Sequence, residues 1–569
     1  MNLKKAAIIC SVVFLAVAAF LLRIIPYFII QPGNMVGGPD VWYYIRLIDN
    51  LQATGLENYY DVLISYGALY SSAARALSFP LICAIMGMLF GVSSQPELIS
   101  IVSWVPPIFG ALCVPIMYAL GRYARDVKTG MLAAAFTAII GGEFFARTLY
   151  SYVDHHCAEI FAALLFCAAY VICMLWIRRT LTGRPVKEQI WKGALMALPA
   201  GLSWYIALDT SITLLYFGLF AAAFTIIQIV VDIIKRRPVW YLVVLNVVTV
   251  GFSAILLACR GQLERVFWQI VSCIPGVGSG ISGCIIPIDS SSGSMSVLEV
   301  APWTFTQAFN AFNIGLILAA IGLVLLIVRY VKKQQPEDLF FIVWSLGMFV
   351  STTWHARWEY FLGANIALLC AIAIGEILNR AKNSTGTKIF IGFITCAFLV
   401  CSLTGAVAYA ENYSKNTVVS DDWLEALEWV NNNTEPEPVN ILIHNLAEYP
   451  DGMYSVLSWG DYGYQIADIT HRAVVTNAGW GRSQKVAQIF LCGVEDIAAE
   501  LCSEYNVKYV IVDDLMARSQ NLLNQWAKID VPFSETETLI GKMYYGSELE
   551  RFVLRFTSSG GKVKIFELC

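Results

Sequence analysis

Ionisable side chains at the borders of long apolar runs are costly to place, and they are functional candidates by default. Five short motifs stand out. Gly38-Pro39-Asp40-Val41-Trp42-Tyr43-Tyr44 follows the first apolar run, and Arg147 is followed seven residues later by Asp154-His155-His156. A Gly/Ser-rich stretch ends in Ser296-Val297-Leu298-Glu299, and Trp354-His355-Ala356-Arg357-Trp358 lies between two further runs. The last, Ser458-Trp459-Gly460-Asp461-Tyr462-Gly463-Tyr464, stands in a stretch of ordinary polar composition. An Asp-x-His triplet beside a membrane helix puts a carboxylate and an imidazole within reach of one divalent ion. Three of the five histidines, His155, His156 and His355, lie at such borders.

Each motif also has a plain reading. Asp40 follows a proline, and Pro-Asp is common turn and N-cap chemistry. Glu299 is either a solvated surface carboxylate or one delivered by a closing loop, since 259–310 is long for a structureless connection. Arg357 flanked by indoles can grip a phosphate bidentately or anchor a membrane belt. Trp459 and Asp461 beside tight glycine turns offer an indole N–H and a carboxylate to a small hydroxyl ligand, or simply form a turn with stacked aromatics.

The elements that must position these groups are membrane helices. Of the 569 residues, 57% are hydrophobic and 14% charged, which cannot surround one soluble core without leaving apolar surface in water. Eleven apolar runs read as spans: 6–30, 99–121, 130–143, 158–177, 193–208, 211–233, 239–258, 311–331, 338–353, 358–378 and 388–410. A shorter run, 78–92, reads as interfacial. Lys4 and Lys5, the Arg122–Lys128 loop, the Arg178–Lys192 loop, Lys235–Arg237, Arg329–Lys333 and Arg380–Lys388 all fall on one side, which the positive-inside rule makes cytoplasmic together with the N-terminus. That puts 31–77, 143–157, 259–310 and everything after about 411 outside.

The expected domains are therefore a transmembrane domain, 1–410, carrying those outer loops, and a soluble extracytoplasmic domain, 411–569, of mixed α/β type. A net charge of −4 gives no reason to expect nucleic acid. Most of the fifteen cysteines sit in apolar runs as small core residues; Cys273 and Cys284 share an outer loop and could pair.

Taken together, these residues resemble the catalytic subunit of oligosaccharyltransferase, whose signature is Trp-Trp-Asp-Tyr-Gly, and the layout is similar to that of the archaeal single-subunit enzymes. Asp40 looks like the first acidic motif, Asp154-His155-His156 like the second in its Asp-x-His form, and Ser296-Val297-Leu298-Glu299 like the Thr/Ser-x-x-Glu motif of the outer loop. Gly460 stands where the second Trp is expected, and Asp513-Asp514-Leu515-Met516 only loosely suggests the additional motif of the soluble domain.

The resemblance implies a GT-C type fold of about eleven to thirteen spans in the plasma membrane. It implies transfer of a glycan from a lipid-linked dolichyl phosphate or pyrophosphate donor to Asn in Asn-x-Ser/Thr of an acceptor protein, with inversion at the sugar and a single subunit. In that scheme Asp40 and Glu299 contact the acceptor amide, and Asp40, Asp154 and His156 hold Mn²⁺ or Mg²⁺, with imidazole favouring Mn²⁺. Trp459 and Asp461 bind the sequon hydroxyl, with Tyr462 supporting them, and Arg147 and Arg357 meet the lipid phosphate. Competing readings are another lipid-phosphate-sugar transferase, of mannosyl or aminoarabinosyl type, and a transporter or flippase. The chain's own sequons, Asn412-Tyr-Ser and Asn432-Asn-Thr, make self-modification conceivable.

Overall fold

The computed structural model describes residues 3–30, 38–57, 59–68, 70–71, 78–272, 301–380, 384–416, 419–437, 450–479, 481–528, 534–546 and 548–569. Glu299 and the Cys273/Cys284 pair lie outside these residues. The chain forms two compact units. One takes the chain up to Ile29 and the bulk of the run from Ser103 to Ser414; the other takes Ile30–Val102 and Lys415–Cys569.

The first unit is helical. Every apolar run of the sequence becomes a helix, and among the described residues eight helices are long and apolar enough to cross a membrane. They are Leu3–Arg23, Gln95–Ala124, His156–Leu181, Ile212–Ile234, Trp240–Cys259, Gly315–Lys333, Ala356–Arg380 and Thr385–Lys415. Val127–Ile139 is shorter, and Val186–Thr210 and Pro336–Trp354 carry charged residues in their first turns. Small residues let these helices approach closely. A Cβ on Gly121 would come 2.9 Å from that of Ala133, and one on Gly130 would come 2.7 Å from the Tyr118 carbonyl oxygen.

Two of the boundaries that differ from the apolar runs have a local backbone cause. The first helix stops at Arg23, short of 30, and a 3₁₀ turn with Pro26 follows at Ile25–Phe28. Proline cannot donate to the helix ladder, and apolarity alone does not register that break. Before Gly315 the chain turns at Asn313, whose φ of 41° separates the helix Phe305–Phe312 from the span.

The second unit holds the sheet. Strands β1 (Tyr60–Asp61) and β2 (Tyr70–Ser71) pair antiparallel. β3 (Ser455–Leu457), β4 (Ala473–Val474), β5 (Val507–Asp513), β6 (Phe552–Thr557) and β7 (Val563–Leu568) form a five-stranded sheet in the order β4-β3-β5-β7-β6. β3 is parallel to both β4 and β5, whereas β7 runs antiparallel to β5 and β6. Central β5 reads Val-Lys-Tyr-Val-Ile-Val-Asp and is buried almost throughout, as a strand covered on both faces should be. Helices Ser483–Leu491, Gln520–Ala527 and Leu539–Tyr545 cover it with Val486, Phe490, Leu523 and Ile540.

The segment that follows the first span packs into this same unit and does not stand alone. Its helix Pro39–Ala53 presents Arg46, which pairs with Asp61 through Nε (2.6 Å) and Nη2 (3.0 Å) and donates Nη1 to the Ala467 carbonyl at 3.1 Å. Tyr43 lies 5.0 Å from Tyr464, ring to ring. The interfacial run forms the 12-residue helix Ser78–Leu89, too short to span, with Ile82, Ile85, Met88 and Leu89 exposed along it.

Candidate active site

In the first unit the site is built on one loop and the helix it leads into. After the one-turn helix Glu143–Ala146 the chain runs to His156, where the 26-residue helix His156–Leu181 begins. The loop is held from both sides: Tyr150 N donates to Arg23 O (2.9 Å), and Ser151 N donates to Ser103 O (3.1 Å). Ser151 has φ 71°, a left-handed conformation that a serine adopts only when its surroundings impose it. Arg23 is fully buried at the end of its helix, donating Nε to Thr148 Oγ1 (2.8 Å) and Nη1 to the Ala19 and Ala138 carbonyls (both 3.0 Å).

This framework gathers Asp154, His155 and His156, whose ligand atoms lie within 4.8 Å of one another. Asp154 Oδ1 is 2.6 Å from His155 Nδ1, while Oδ2, buried and without a hydrogen-bond partner among the described residues, is 3.5 Å from His156 Nε2. An orphaned carboxylate oxygen beside an imidazole nitrogen is a donor set that fits a divalent cation. Burial alone would raise the Asp154 carboxyl, but His156, His155 and Arg147 together hold it below the usual carboxylate range.

Arg147 is brought to the same place. It donates Nε to Glu143 Oε2 (2.9 Å), bonds the Tyr152 hydroxyl, and stands 3.9 Å from Asp154 Oδ2 through Nη1. Arg357 sits in the 3₁₀ turn Ala356–Trp358, which leads directly into Glu359–Arg380. There Glu359, which none of the five sequence motifs includes, accepts from Trp303 Nε1 (2.6 Å) and from Glu143 N (3.0 Å), so it fixes the segment that carries Arg147.

In the second unit Trp459 is the N-cap of the helix Gly460–Thr470 and Asp461 lies in its first turn, where the helix dipole favours an acid. Burial raises Asp461, the Trp459 hydrogen bond lowers it and Asp513 raises it again, leaving it at about 6. Trp459 is buried, and Tyr462 stacks on Trp423 with ring centroids 4.2 Å apart. Tyr462 Oη and Trp423 Nε1 both donate to Asp513 Oδ2, at 2.5 and 3.0 Å, and Asp513 Oδ1 caps the next helix by accepting from Met516 N at 2.8 Å. Asp513 and Met516, only loosely suggestive in the sequence, are thereby tied to the Trp-Gly-Asp-Tyr-Gly motif. Gly463 admits no side chain, because a Cβ there would run into the Thr476 carbonyl.

Asp40 lies at the second residue of its helix, exposed, with Gly38 as N-cap, and it belongs to the second unit. In the two sequons Asn412 and Asn432 are exposed, whereas the Ser414 and Thr434 hydroxyls are buried and donate to carbonyls four residues back, at 2.6 and 2.7 Å.

The family described as oligosaccharyl transferase STT3, N-terminal, matches residues 6–408, and the AglB core domain matches residues 420–517. The chain belongs to the STT3 family of oligosaccharyl transferases. It is 23% identical over 629 residues to dolichyl-phosphooligosaccharide-protein glycotransferase 3 of Archaeoglobus fulgidus, covering 91% of this chain and 70% of that one. Its fold is similar to that of the archaeal oligosaccharyltransferase AglB from A. fulgidus solved in complex with an inhibitory peptide and a dolichol-phosphate, with a TM-score of 0.81 at 19% identity over 98% of this chain and 80% of that one. Against the A. fulgidus oligosaccharyltransferase in complex with Zn and sulfate the TM-score is 0.70 at 18% identity, over 96% and 79% of the two chains. This STT3-family chain is thus a multi-pass membrane glycosyltransferase of protein N-glycosylation, of the archaeal single-subunit type.

Proposed function

We propose that the protein transfers a glycan from a dolichyl phosphate or pyrophosphate donor to the side-chain nitrogen of Asn in Asn-x-Ser/Thr, with inversion at the sugar carbon and a divalent cation at Asp154 and His156. The observation that carries this reading is the buried Asp154 Oδ2 beside His156 Nε2, with the Arg147 guanidinium on its other side. The likeness to a fold that holds a dolichol-phosphate with a peptide, and Zn with sulfate, supports it.

An amide nitrogen is a poor nucleophile because its lone pair is delocalised, so the site has to orient it, neutralise the leaving phosphate and read the sequon. A divalent cation, when bound, supplies charge for the departing phosphate oxygens. Asp154 and His156 hold it, and Asp40 is assigned to the same ion and to the acceptor amide from the order of the motifs. Glu299 is assigned as the second carboxylate on that amide. Arg147, already oriented by Glu143 and Tyr152, presents its guanidinium to phosphate, and Arg357 is its proposed partner in that task. Trp459 donates to, and Asp461 accepts from, the Ser/Thr hydroxyl, while Tyr462 holds the wall of that pocket through Asp513. In this reading the catalytic loops and the second unit lie on the outer face of the cell membrane, with the N-terminus in the cytoplasm.

The test is transfer from a lipid-linked donor extract to a fluorescent Asn-x-Thr peptide by the purified protein, comparing wild type with Asp40→Ala and Asp461→Ala, with and without Mn²⁺. Metal-dependent transfer lost in both variants is the expected result. Transfer that survives both substitutions overturns the site.

A further inference from the structure

Glu159 has no place in the proposed chemistry, yet it is a fully buried carboxylate in the first turn of the helix that begins with His156. Residues three apart on a helix share a face, and Glu159 Oε2 lies 2.8 Å from His156 Nδ1. The same oxygen accepts from the Tyr360 hydroxyl at 2.9 Å, from a different helix, and the Tyr360 ring lies 5.0 Å from that of His156. Glu159 Oε1 is 3.5 Å from His155 Nε2.

A carboxylate can only accept from His156, so the contact puts the imidazole proton on Nδ1 and leaves the lone pair on Nε2. Nε2 is the nitrogen that faces Asp154 Oδ2 at 3.5 Å. His155 is arranged otherwise: its Nδ1 is directed at Asp154 Oδ1 at 2.6 Å, so the two histidines divide the two oxygens of one carboxylate between them. Carboxylates behind metal-bound imidazoles fix the tautomer, hold the ring and raise its basicity.

We propose that Glu159, itself steadied by Tyr360, is the positioning residue that makes His156 Nε2 a cation ligand, and that it thereby sets the affinity and the ion preference of the site. This rests on the metal reading of Asp154 and His156 given above. A ligand made more basic gains more with a transition ion than with Mg²⁺, so Glu159 accounts for a preference for Mn²⁺ that His156 alone leaves weaker.

The experiment is Mn²⁺ binding to the purified full chain, followed by the loss of the free-ion electron paramagnetic resonance signal and repeated in competition with Mg²⁺, without donor or peptide. Glu159→Gln keeps the shape but lets an amide N–H meet Nδ1, which turns the Nε2 proton toward Asp154. Its Mn²⁺ affinity falls by about 10–100-fold, the usual consequence of losing such a partner, and its Mn²⁺/Mg²⁺ preference narrows. Tyr360→Phe retains the carboxylate, removes one of its donors, and weakens Mn²⁺ by a few-fold, which keeps the inference testable where Glu159→Gln does not fold. Unchanged Mn²⁺ affinity in a folded Glu159→Gln protein overturns the role of Glu159 while leaving the metal site in place. Wild type that takes up no Mn²⁺, or Asp154→Ala that binds it as wild type does, overturns the metal reading itself and this inference with it.

Discussion

The Tyr462 hydroxyl donates to Asp513 Oδ2 at 2.5 Å, so the Trp-Gly-Asp-Tyr-Gly motif and the end of β5 share one hydrogen bond. Trp423 Nε1 reaches the same oxygen at 3.0 Å while its ring stacks on Tyr462. The motif is therefore anchored through its tyrosine, while Trp459 hydrogen-bonds the Asp461 carboxyl beside it. Tyr462→Phe removes a hydrogen bond to a carboxylate worth about 1.5–3 kcal/mol but keeps the stack. The expected outcome is a lower melting temperature in detergent and a raised KM for the acceptor peptide, with kcat less affected. An unchanged melting temperature refutes the anchoring role.

Asp461 gives the acceptor site a pH dependence. Its carboxyl is held at about 6, with burial the foremost cause, so the folded protein retains the proton where an ordinary carboxylate has lost it. The stability this contributes is complete below the ordinary carboxylate range and is lost as pH rises through about 6. The ionised form is the stronger acceptor of a hydroxyl hydrogen bond, because the bond is then charge-assisted. The acceptor KM is expected to fall as pH rises through that value, and the Asp461→Asn profile is expected to be flat there with a raised KM throughout.

Asp468 carries a second such dependence away from the chemistry. Burial first of all, opposed by Arg46 and reinforced by Asp49 and Asp61, raises it to about 8, and Gln95 Nε2 reaches both of its oxygens at 3.1 Å. A raised acid stabilises the fold only while protonated, so its contribution disappears as pH rises through about 8. The wild-type melting temperature should drop between pH 7 and pH 9 more than that of Asp468→Asn. Equal drops in the two proteins count against this assignment.

Metal removal tests the other half of the site. Chelation with EDTA followed by gel filtration should abolish transfer, and Mn²⁺ should restore it at lower concentration than Mg²⁺, because imidazole suits a transition ion better. Equal restoration by the two ions contradicts a direct role for His156.

The membrane helices are legible in the sequence because a run of about 20 apolar residues suits a bilayer-crossing helix and little else. Their ends are less so: Ile29 and Ile30 continue the apolar run beyond Arg23, and only Pro26 hints that the helix has stopped. Asp154 and His156 are legible because both are chemically conspicuous and close together in the chain. Glu159 carries a usable signal, a carboxylate three residues after His156 in an otherwise apolar helix, but it lies beyond the loop that holds the Asp-x-His pattern. Tyr360, Trp423 and Glu359 carry none: each matters through a partner dozens to hundreds of residues away, and a single sequence does not display such pairings. The same distance hides the membership of the segment after the first span in the second unit, where Arg46 and Ala467 meet across 421 residues.

A further distant pairing in the same unit bears on how the chain is made. The outer side of β4 is covered by Leu63–Tyr66, since Val474 N donates to Leu63 O at 2.9 Å and Tyr66 N to Val474 O at 2.7 Å. A segment synthesised near the beginning thus waits for about four hundred further residues before it finds its neighbour, and the sheet cannot close until the last part of the chain has emerged. Expressed by itself, 415–569 would carry an uncovered strand edge, open to pairing with another copy, so the sticky side of this sheet is protected by the order in which the whole protein assembles.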